Sequence, residues 1–346
     1  MLFEDDPPPK LVGIARLAAS GGLLEAKRAV EYLELETRRF IGRGSGKMRS
    51  IWTLNPYRGC EFGCKYCYAR YAHEFMELRD PDLFERKIFA KQFQADAFRA
   101  ELRRLKLGST VWIGTATDPY QPAERRFQVT RRILDEFAGQ RGFDLGITTK
   151  SDLIARDAPL LARVLQNNKI RVHLTITTLD EHLARLLEPR APRPALRLDA
   201  LRRLADAGVP VGVLAHPVMP LINDTEESLD RVCAAAARSG ATSFSAAPLF
   251  LKPCAAQVFL PFLEQRFPHL VRRYRERYGK SAYLRGSYPE SLAGRVERIR
   301  ARNHLAERRA PEWPLPDALD EQLDLFHAET KGPGTACTLQ RKVNRL

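Results

Sequence analysis

Long apolar runs are missing from this 346-residue chain. No stretch approaches the ~20 consecutive apolar residues that a membrane-spanning helix needs, which excludes that class of protein. No secretory leader is expected either. The start, Met1-Leu-Phe-Glu-Asp-Asp-Pro-Pro-Pro, is acidic and proline-rich where a leader is basic and then apolar, so the cytoplasm is the expected compartment. Cysteine is scarce, at six residues. Three crowd between 60 and 67, while Cys233, Cys254 and Cys337 are scattered, which is not a disulfide framework and suits a reducing environment. No internal repeat of fixed period is present. A complete phosphate loop is absent as well. Gly42-Arg-Gly-Ser-Gly-Lys47-Met48 has Ile41 in place of the first glycine and Met48 in place of the magnesium-binding Ser or Thr, and reads as a basic loop. Acidic residues are the minority sign, 42 against 56 Lys and Arg, for a net charge of +14. That balance is compatible with a nucleic-acid partner, and equally with ordinary solvated helix faces.

What is present is a loop reading Asn55-Pro-Tyr-Arg-Gly-Cys60-Glu-Phe-Gly-Cys64-Lys-Tyr-Cys67-Tyr68. Three thiolates at Cys-x3-Cys-x2-Cys spacing can hold three irons of a cubane cluster. With no fourth cysteine nearby, the fourth iron stays open to a small chelating molecule, and an open iron implies chemistry there. The alternative is a structural zinc with His73 as fourth ligand, although such sites usually pair two knuckles far apart in sequence.

Around this loop, strands and helices alternate from about residue 50 to 250. Strands are expected at Ile51–Leu54, Thr110–Thr117, Phe143–Thr149, Ile170–Thr177, Val209–Val218 and Thr242–Ala247. Helices are expected over Cys67–Leu78, 91–105, Glu124–Phe137, Asp152–Gln166, Arg197–Ala207 and Asp224–Ser239. Six such units predict an α/β fold, a partial (β/α)6 TIM-like barrel. Residues 1–47 read as a lead-in, 48–250 as the core domain, and 251–346 as a mostly helical basic extension with a linker at Pro311–Pro316. The extension holds 18 Lys and Arg against 11 Asp and Glu. Its tyrosines, interleaved with arginines at Arg272-Arg-Tyr-Arg-Glu-Arg-Tyr-Gly-Lys280, could stack on bases or simply pack on the barrel. Polar residues gather at the expected strand ends: Thr115, Thr117 and Asp118; Thr148, Thr149 and Lys150; Thr177, Thr178 and Asp180; His216; and Ser245. The cysteine loop follows the first strand and therefore shares their mouth.

The cysteine spacing, with the aromatic Tyr66 before the last cysteine, resembles the radical S-adenosylmethionine (SAM) superfamily. Asn55-Pro-Tyr-Arg-Gly and Thr117-Asp-Pro-Tyr-Gln-Pro-Ala-Glu124 resemble its spore photoproduct lyase-like branch. The resemblance spans about residues 48–250. It implies a [4Fe–4S] cluster on Cys60, Cys64 and Cys67, SAM on the open iron, and a one-electron reductant of flavodoxin or ferredoxin type. It further implies hydrogen abstraction by a 5′-deoxyadenosyl radical, with a nucleic acid or nucleotide as first substrate class and a peptide or small metabolite as second. Thr115, Thr117 and Asp118 are then candidates for the SAM amino group, and Lys150 pairs with the SAM carboxylate. Thr177 meets that carboxylate or the ribose, and Tyr66 belongs to the cofactor pocket. Spore photoproduct lyases carry a hydrogen-donating cysteine near the end of the second strand. Gly114-Thr-Ala-Thr-Asp118 has none, so that repair route does not carry over.

Some residues support two readings each. Tyr68 could shape the radical's approach, while Tyr71 and Phe75 at helical spacing read as core. Cys254 follows the sixth strand and could reach the mouth in a redox role or be a buried thiol; Cys233 reads as core. Glu124 either meets a helix dipole or touches SAM. Asn223-Asp-Thr-Glu226 reads as a capping box, His173 as a core histidine and His73 as a surface helix residue. Arg190 faces an anionic substrate or a neighbouring carboxylate.

Overall fold

The computed structural model describes residues 11–27, 30–37, 39–44, 50–279 and 281–305. Its strands are β1 (Leu23–Lys27), β2 (Val30–Leu35), β3 (Ile41–Arg43), β4 (Ile51–Leu54), β5 (Tyr57–Arg58), β6 (Lys87–Lys91), β7 (Thr110–Ile113), β8 (Asp144–Thr149), β9 (Lys169–Thr175), β10 (Val211–Val218) and β11 (Ser243–Pro248). Strands β4, β7, β8, β9, β10 and β11 lie side by side in chain order, all parallel, and β3 adds antiparallel to β4. Consecutive parallel strands with helical crossovers make a barrel wall. Because β11 and β3 are its two edges, the wall is open, as six βα units should leave it.

Alternation along the strands divides the wall. Val111, Ile113, Leu145, Ile147, Val172, Leu174, Val211 and Val213 are buried in the main core under the outer helices. The crossover helix Val129–Ala138 covers them with Val129, Ile133, Leu134 and Phe137, one apolar face of a 3.6-residue period. The opposite parity faces the barrel interior. There Trp112 of β7 stacks on His173 of β9, with ring centroids 5.6 Å apart. Gly146 of β8 leaves the space for the indole, since a Cβ at that position would lie 2.6 Å from indole Cδ2.

Several expectations need correction. The residues read as a lead-in contribute three strands: β1 and β2 join β6 and β5 in a second, four-stranded sheet, and β3 extends the barrel wall. The β1–β2 and β3–β4 pairings are local, whereas β2 joins β6 more than fifty residues downstream, Glu31 opposite Lys87. The expected helix over 67–78 is only a 3-10 turn, Tyr68–Arg70, and one α-turn, Tyr71–Glu74. The helix expected from residue 91 begins at Ala95, after β6. The helix expected over 124–137 is broken at Gln128, whose φ of 51° lies in the left-handed region. The last barrel helix runs Glu226–Arg238. Its cap is Thr225, which accepts from the Ser228 backbone N–H at 3.1 Å.

Beyond the barrel, helix Ser287–Arg302 packs on β11, while helices Pro253–Arg266 and Val271–Tyr278 share an apolar cluster with the residues of the cysteine loop. The interleaved tyrosines turn inward: Tyr274 Oη donates to the Pro220 carbonyl (2.8 Å) and Tyr278 Oη to that of Leu249 (3.0 Å). Arg272, Arg273, Arg275 and Arg277 face solvent. The segment is an amphipathic packing helix, and its tyrosines are not a stacking platform. Cys337, the Pro311–Pro316 stretch and residues 45–49 of the basic loop lie outside the described residues. Among those described, no helix is long and apolar enough to cross a membrane.

Candidate active site

The cysteine loop leaves β4 at the carboxyl end of the wall. Two of its turns demand left-handed backbone, and both positions are glycine: Gly59 at φ 78° and Gly63 at φ 64°. The loop is then clamped from β7. Asn55 Oδ1 accepts from the Ala116 N–H (2.7 Å) and its amide donates to Thr115 Oγ1 (3.0 Å). Thr117 Oγ1 donates to the Gly59 carbonyl at 2.6 Å. Gln121, fully buried, donates to the same carbonyl and accepts from the Glu61 N–H, each at 3.0 Å. On its other side the loop is held by the Arg70 guanidinium, which donates to the Cys64 carbonyl at 3.2 Å.

Cys60 and Cys64 are buried and Cys67 nearly so, all with free thiols. Burial pushes each thiol up, Cys64 to about 12; Cys64 and Cys67 lie close enough to raise Cys60 further, and Cys67 to raise Cys64. Lys150 and Arg197 work the other way on Cys64, as Arg70 does on Cys67. Three soft thiolates converging without a fourth protein ligand fit a cubane with one open iron. Among the described residues no three His, Cys, Asp or Glu side chains converge on a single-ion site. His73 is not the surface residue expected. It is 1% exposed, its ring sits edge-on against Phe84 and Phe89, and burial holds its pKa down to about 3.

Strand ends bring further groups to this loop. Asp118 ties β7 to β8: it accepts from Thr149 Oγ1 (2.5 Å) and from the backbone N–H of Lys150 (2.7 Å) and Tyr120 (2.9 Å). Burial nevertheless raises its pKa. The Lys150 ammonium lies 5.6 Å from the Tyr66 ring centroid. Burial alone would lower its pKa, but Cys64, Glu188 and Asp118 outweigh that and hold it above the ordinary lysine value. Tyr66 Oη donates to Glu188 Oε1, as does Thr177 Oγ1 at 3.3 Å, and Arg197 pairs with Glu188 Oε2 at 2.5 Å. His216 Nε2 meets Ser245 Oγ at 3.2 Å, and burial drops the histidine to about 3, so the imidazole is neutral.

Two of the expected residues are committed to structure here. The Glu124 carboxylate accepts from the N–H groups of Thr130 (2.9 Å) and Arg131 (3.0 Å), capping the helix that restarts after Gln128. It also accepts from Tyr57 Oη (2.5 Å) and pairs with Arg156 (3.2 Å). Thr117 holds the loop through Gly59. The other expected residues meet at the mouth. Tyr68 Oη donates to the Thr115 carbonyl (2.7 Å), and its ring lies beside Tyr71 and Phe250. Cys254 Sγ donates to the Tyr68 carbonyl at 3.5 Å, and burial pushes that thiol up to about 11. Cys233 is fully buried in the core. Arg190 meets Glu85 at 3.0 Å. Sequence reasoning missed Asn55, Gln121, Glu188 and Arg197 as parts of the site. The first two sit inside motif segments whose flanks drew attention, whereas only the three-dimensional fold joins Glu188 to Arg197. Beside the loop, Phe62, Tyr120, Pro122, Leu196, Arg125 and Arg190 line part of a half-open cleft of about 420 Å³.

Comparison with known proteins agrees with this geometry. A model of the Radical SAM superfamily matches residues 54–232. An uncharacterized protein of Mycobacterium tuberculosis is 36% identical over 268 residues, 77% of this chain and 78% of the relative. One of Methanocaldococcus jannaschii is 28% identical over 217 residues, 63% of this chain and 76% of the relative. Among solved structures, a spore photoproduct lyase double mutant with bound AdoMet and dinucleoside spore photoproduct has a TM-score of 0.59 at 16% identity, covering 88% of this chain and 86% of that one. The same enzyme complexed with dinucleoside spore photoproduct has a TM-score of 0.58 at 16% identity, covering 79% and 80%. That likeness establishes a shared fold.

Proposed function

Because this chain belongs to the radical SAM superfamily, we propose that Cys60, Cys64 and Cys67 hold a [4Fe–4S] cluster whose open iron receives S-adenosylmethionine. The observation that carries the reading is the gathering of three thiols, two buried and the third half-buried, with the half-buried ammonium of Lys150 within electrostatic reach at the carboxyl mouth of the barrel. When bound, cluster and SAM supply the one-electron cleavage of the sulfonium that yields a 5′-deoxyadenosyl radical. The protein's own residues do the rest. Lys150 presents a charge that its surroundings keep protonated, and it binds the SAM carboxylate. Asp118 has three donors and retains acceptor capacity for the SAM amino group, beside the Thr115 and Thr117 backbone. Tyr66 and Thr177, anchored on Glu188, wall the nucleoside side. Tyr68, with its hydroxyl fixed on Thr115, and the adjacent Cys254 thiol face the path to substrate. Glu124 and the Thr117 side chain we assign to holding the scaffold, in place of the cofactor contacts expected for them. The cleft lined by Phe62 of the cysteine loop together with Arg125 and Arg190 is the face we assign to a one-electron carrier of flavodoxin or ferredoxin type in the cytoplasm.

For substrate we favour a nucleic acid or nucleotide, supported by the +14 net charge and by a fold shared with an enzyme solved around a dinucleoside photoproduct. Without a thiol in Gly114–Asp118, the radical quench differs from that enzyme's expected route. Oxygen-free purification and iron reconstitution test the reading. The expected result is a brown protein, bleached by dithionite, that converts SAM to 5′-deoxyadenosine. A colourless protein with stoichiometric zinc and no SAM cleavage refutes it. Comparing modified nucleosides and metabolites between a deletion strain and its parent then addresses the substrate.

A further inference from the structure

Behind the mouth, two opposite charges are almost completely removed from solvent. The Glu188 side chain is 0% exposed and that of Arg197 1%, and they meet at 2.5 Å. Their remaining valences are used with little waste. Arg197 Nη1 donates to the Thr175 carbonyl (2.9 Å) at the end of β9, and Nε donates to the Pro192 carbonyl (2.8 Å). Glu188 Oε1 accepts from Tyr66, which sits between the second and third cysteines, and from Thr177 just beyond β9. The Lys65 N–H, next to Tyr66, donates to the Leu187 carbonyl at 2.9 Å, so the cysteine loop and the Glu188 segment are also joined backbone to backbone. Lys150 and Cys64 both lie within electrostatic reach of Glu188 and Arg197. A buried pair of this kind is poor evidence for stability, because desolvation consumes most of its attraction. Its location suggests another use.

We propose that Glu188 and Arg197 are a positioning pair for the cofactor site, an inference that rests on the function proposed above. Glu188 fixes the ring of Tyr66 through its hydroxyl, and with it the loop segment between Cys64 and Cys67. Arg197 locks Glu188 to β9 and cancels its charge. The Lys150 ammonium is therefore not neutralised by the carboxylate beside it and stays available to a ligand carboxylate. Neither residue touches the reacting atoms. Each acts through Tyr66, Thr177 and Lys150.

The pair predicts a signature that simple loss of structure does not produce. The test uses the full chain with reconstituted cluster, reading iron content, cluster midpoint potential and SAM dissociation constant. Glu188→Gln keeps an acceptor for Tyr66 and Thr177 but leaves Arg197 uncompensated, so the midpoint potential moves up. Arg197→Met leaves the carboxylate uncompensated, so it moves down. The double variant returns it toward the parent. SAM binding weakens tenfold or more in each single variant and recovers in part in the double. Should a single variant fail to fold, Glu188→Asp and Arg197→Lys preserve both charges, and they are expected to loosen SAM while leaving the potential unchanged. Potentials that move in the same direction for both single variants, or not at all, overturn the proposal, as does unchanged SAM affinity throughout. Wild-type protein that takes up no cluster is a different result: it refutes the proposed function itself, and the positioning role falls with it.

Discussion

Replacing Gln121 with leucine tests how the cysteine loop is held. The side chain is fully buried and nearly isosteric with leucine, so packing changes little and the polar contacts dominate. Gln121 Oε1 accepts from the Glu61 N–H at 3.0 Å, and Glu61 itself is 6% exposed. Losing that acceptor orphans a buried donor, at about 1–3 kcal/mol. The Gly59 carbonyl also loses its 3.0 Å bond to Gln121 but keeps the 2.6 Å bond from Thr117, so that loss adds only about 0.5–1 kcal/mol. The sum is about 1.5–4 kcal/mol, or a Tm lower by about 2–6 °C for a chain of this size. Thr117→Val removes the bond to a carbonyl that Gln121 still serves and the 3.1 Å bond that Thr117 Oγ1 accepts from Gln121 Nε2, whose amide keeps its bond to Gly59; it should cost only about 0.5–1.5 kcal/mol. The double variant should be less stable than either single, because only then is the Gly59 carbonyl left with neither donor. Thermal denaturation of cluster-free protein, with iron bound per chain after reconstitution, measures both effects. A Thr117→Val loss as large as that of Gln121→Leu, or a double variant no less stable than Gln121→Leu alone, would refute the clamp.

Other outcomes follow from the same geometry. Cys64→Ala should abolish cluster uptake and SAM cleavage, since two thiolates on this loop cannot hold the cubane; full 5′-deoxyadenosine production by the variant removes the loop from the chemistry. Lys150→Ala should weaken SAM binding by roughly 1.5–3 kcal/mol, the scale of a charge-assisted bond. Because the folded protein holds this lysine above its ordinary pKa, wild-type affinity should not decline from pH 7 to 9 on its account, and calorimetry at both pH values checks this. Gly146→Ala drives a methyl into the Trp112 indole and should destabilise by about 1–3 kcal/mol or prevent folding; a wild-type melting curve contradicts the interior packing. His173 is held down to about 4 by burial, so its contribution is complete above the unfolded value near 6.5 and lost as pH falls from there toward 4. His173→Phe, which keeps the stack on Trp112, should flatten that part of the stability profile, and an unchanged profile excludes the histidine as its cause.

The parallel wall was readable because each of its strands is a run of apolar residues with β-branched or aromatic character, bounded by turn residues and followed by a helix period. That information is local, and Thr110–Ile113 or Val211–Val218 carries it without reference to anything else. The three thiols were equally readable, since their spacing alone brings them onto one loop. The groups that hold the loop in place were not. Gln121 reaches Glu61 across sixty residues and Asn55 reaches Ala116 across sixty-one. A glutamine or asparagine has no periodicity that announces such a partner. Glu124 shows the reverse case: its place at a helix start was visible, but the carboxylate caps the next helix, after a break at Gln128 that only a left-handed backbone reveals. The same reasoning explains Arg190 and Arg197. Both follow the fourth strand on the mouth side, and Arg190 drew attention by its place in the loop, with an anionic substrate or a neighbouring carboxylate as its partner. The structure sets Arg190 against the carboxylate of Glu85 and buries Arg197 against Glu188. For a charged residue in a βα loop, burial decides between surface and site, and burial depends on the tertiary fold rather than on sequence spacing. The motif therefore locates the chemistry in such a barrel, while the residues that tune it must be found from the hydrogen bonds that leave the motif.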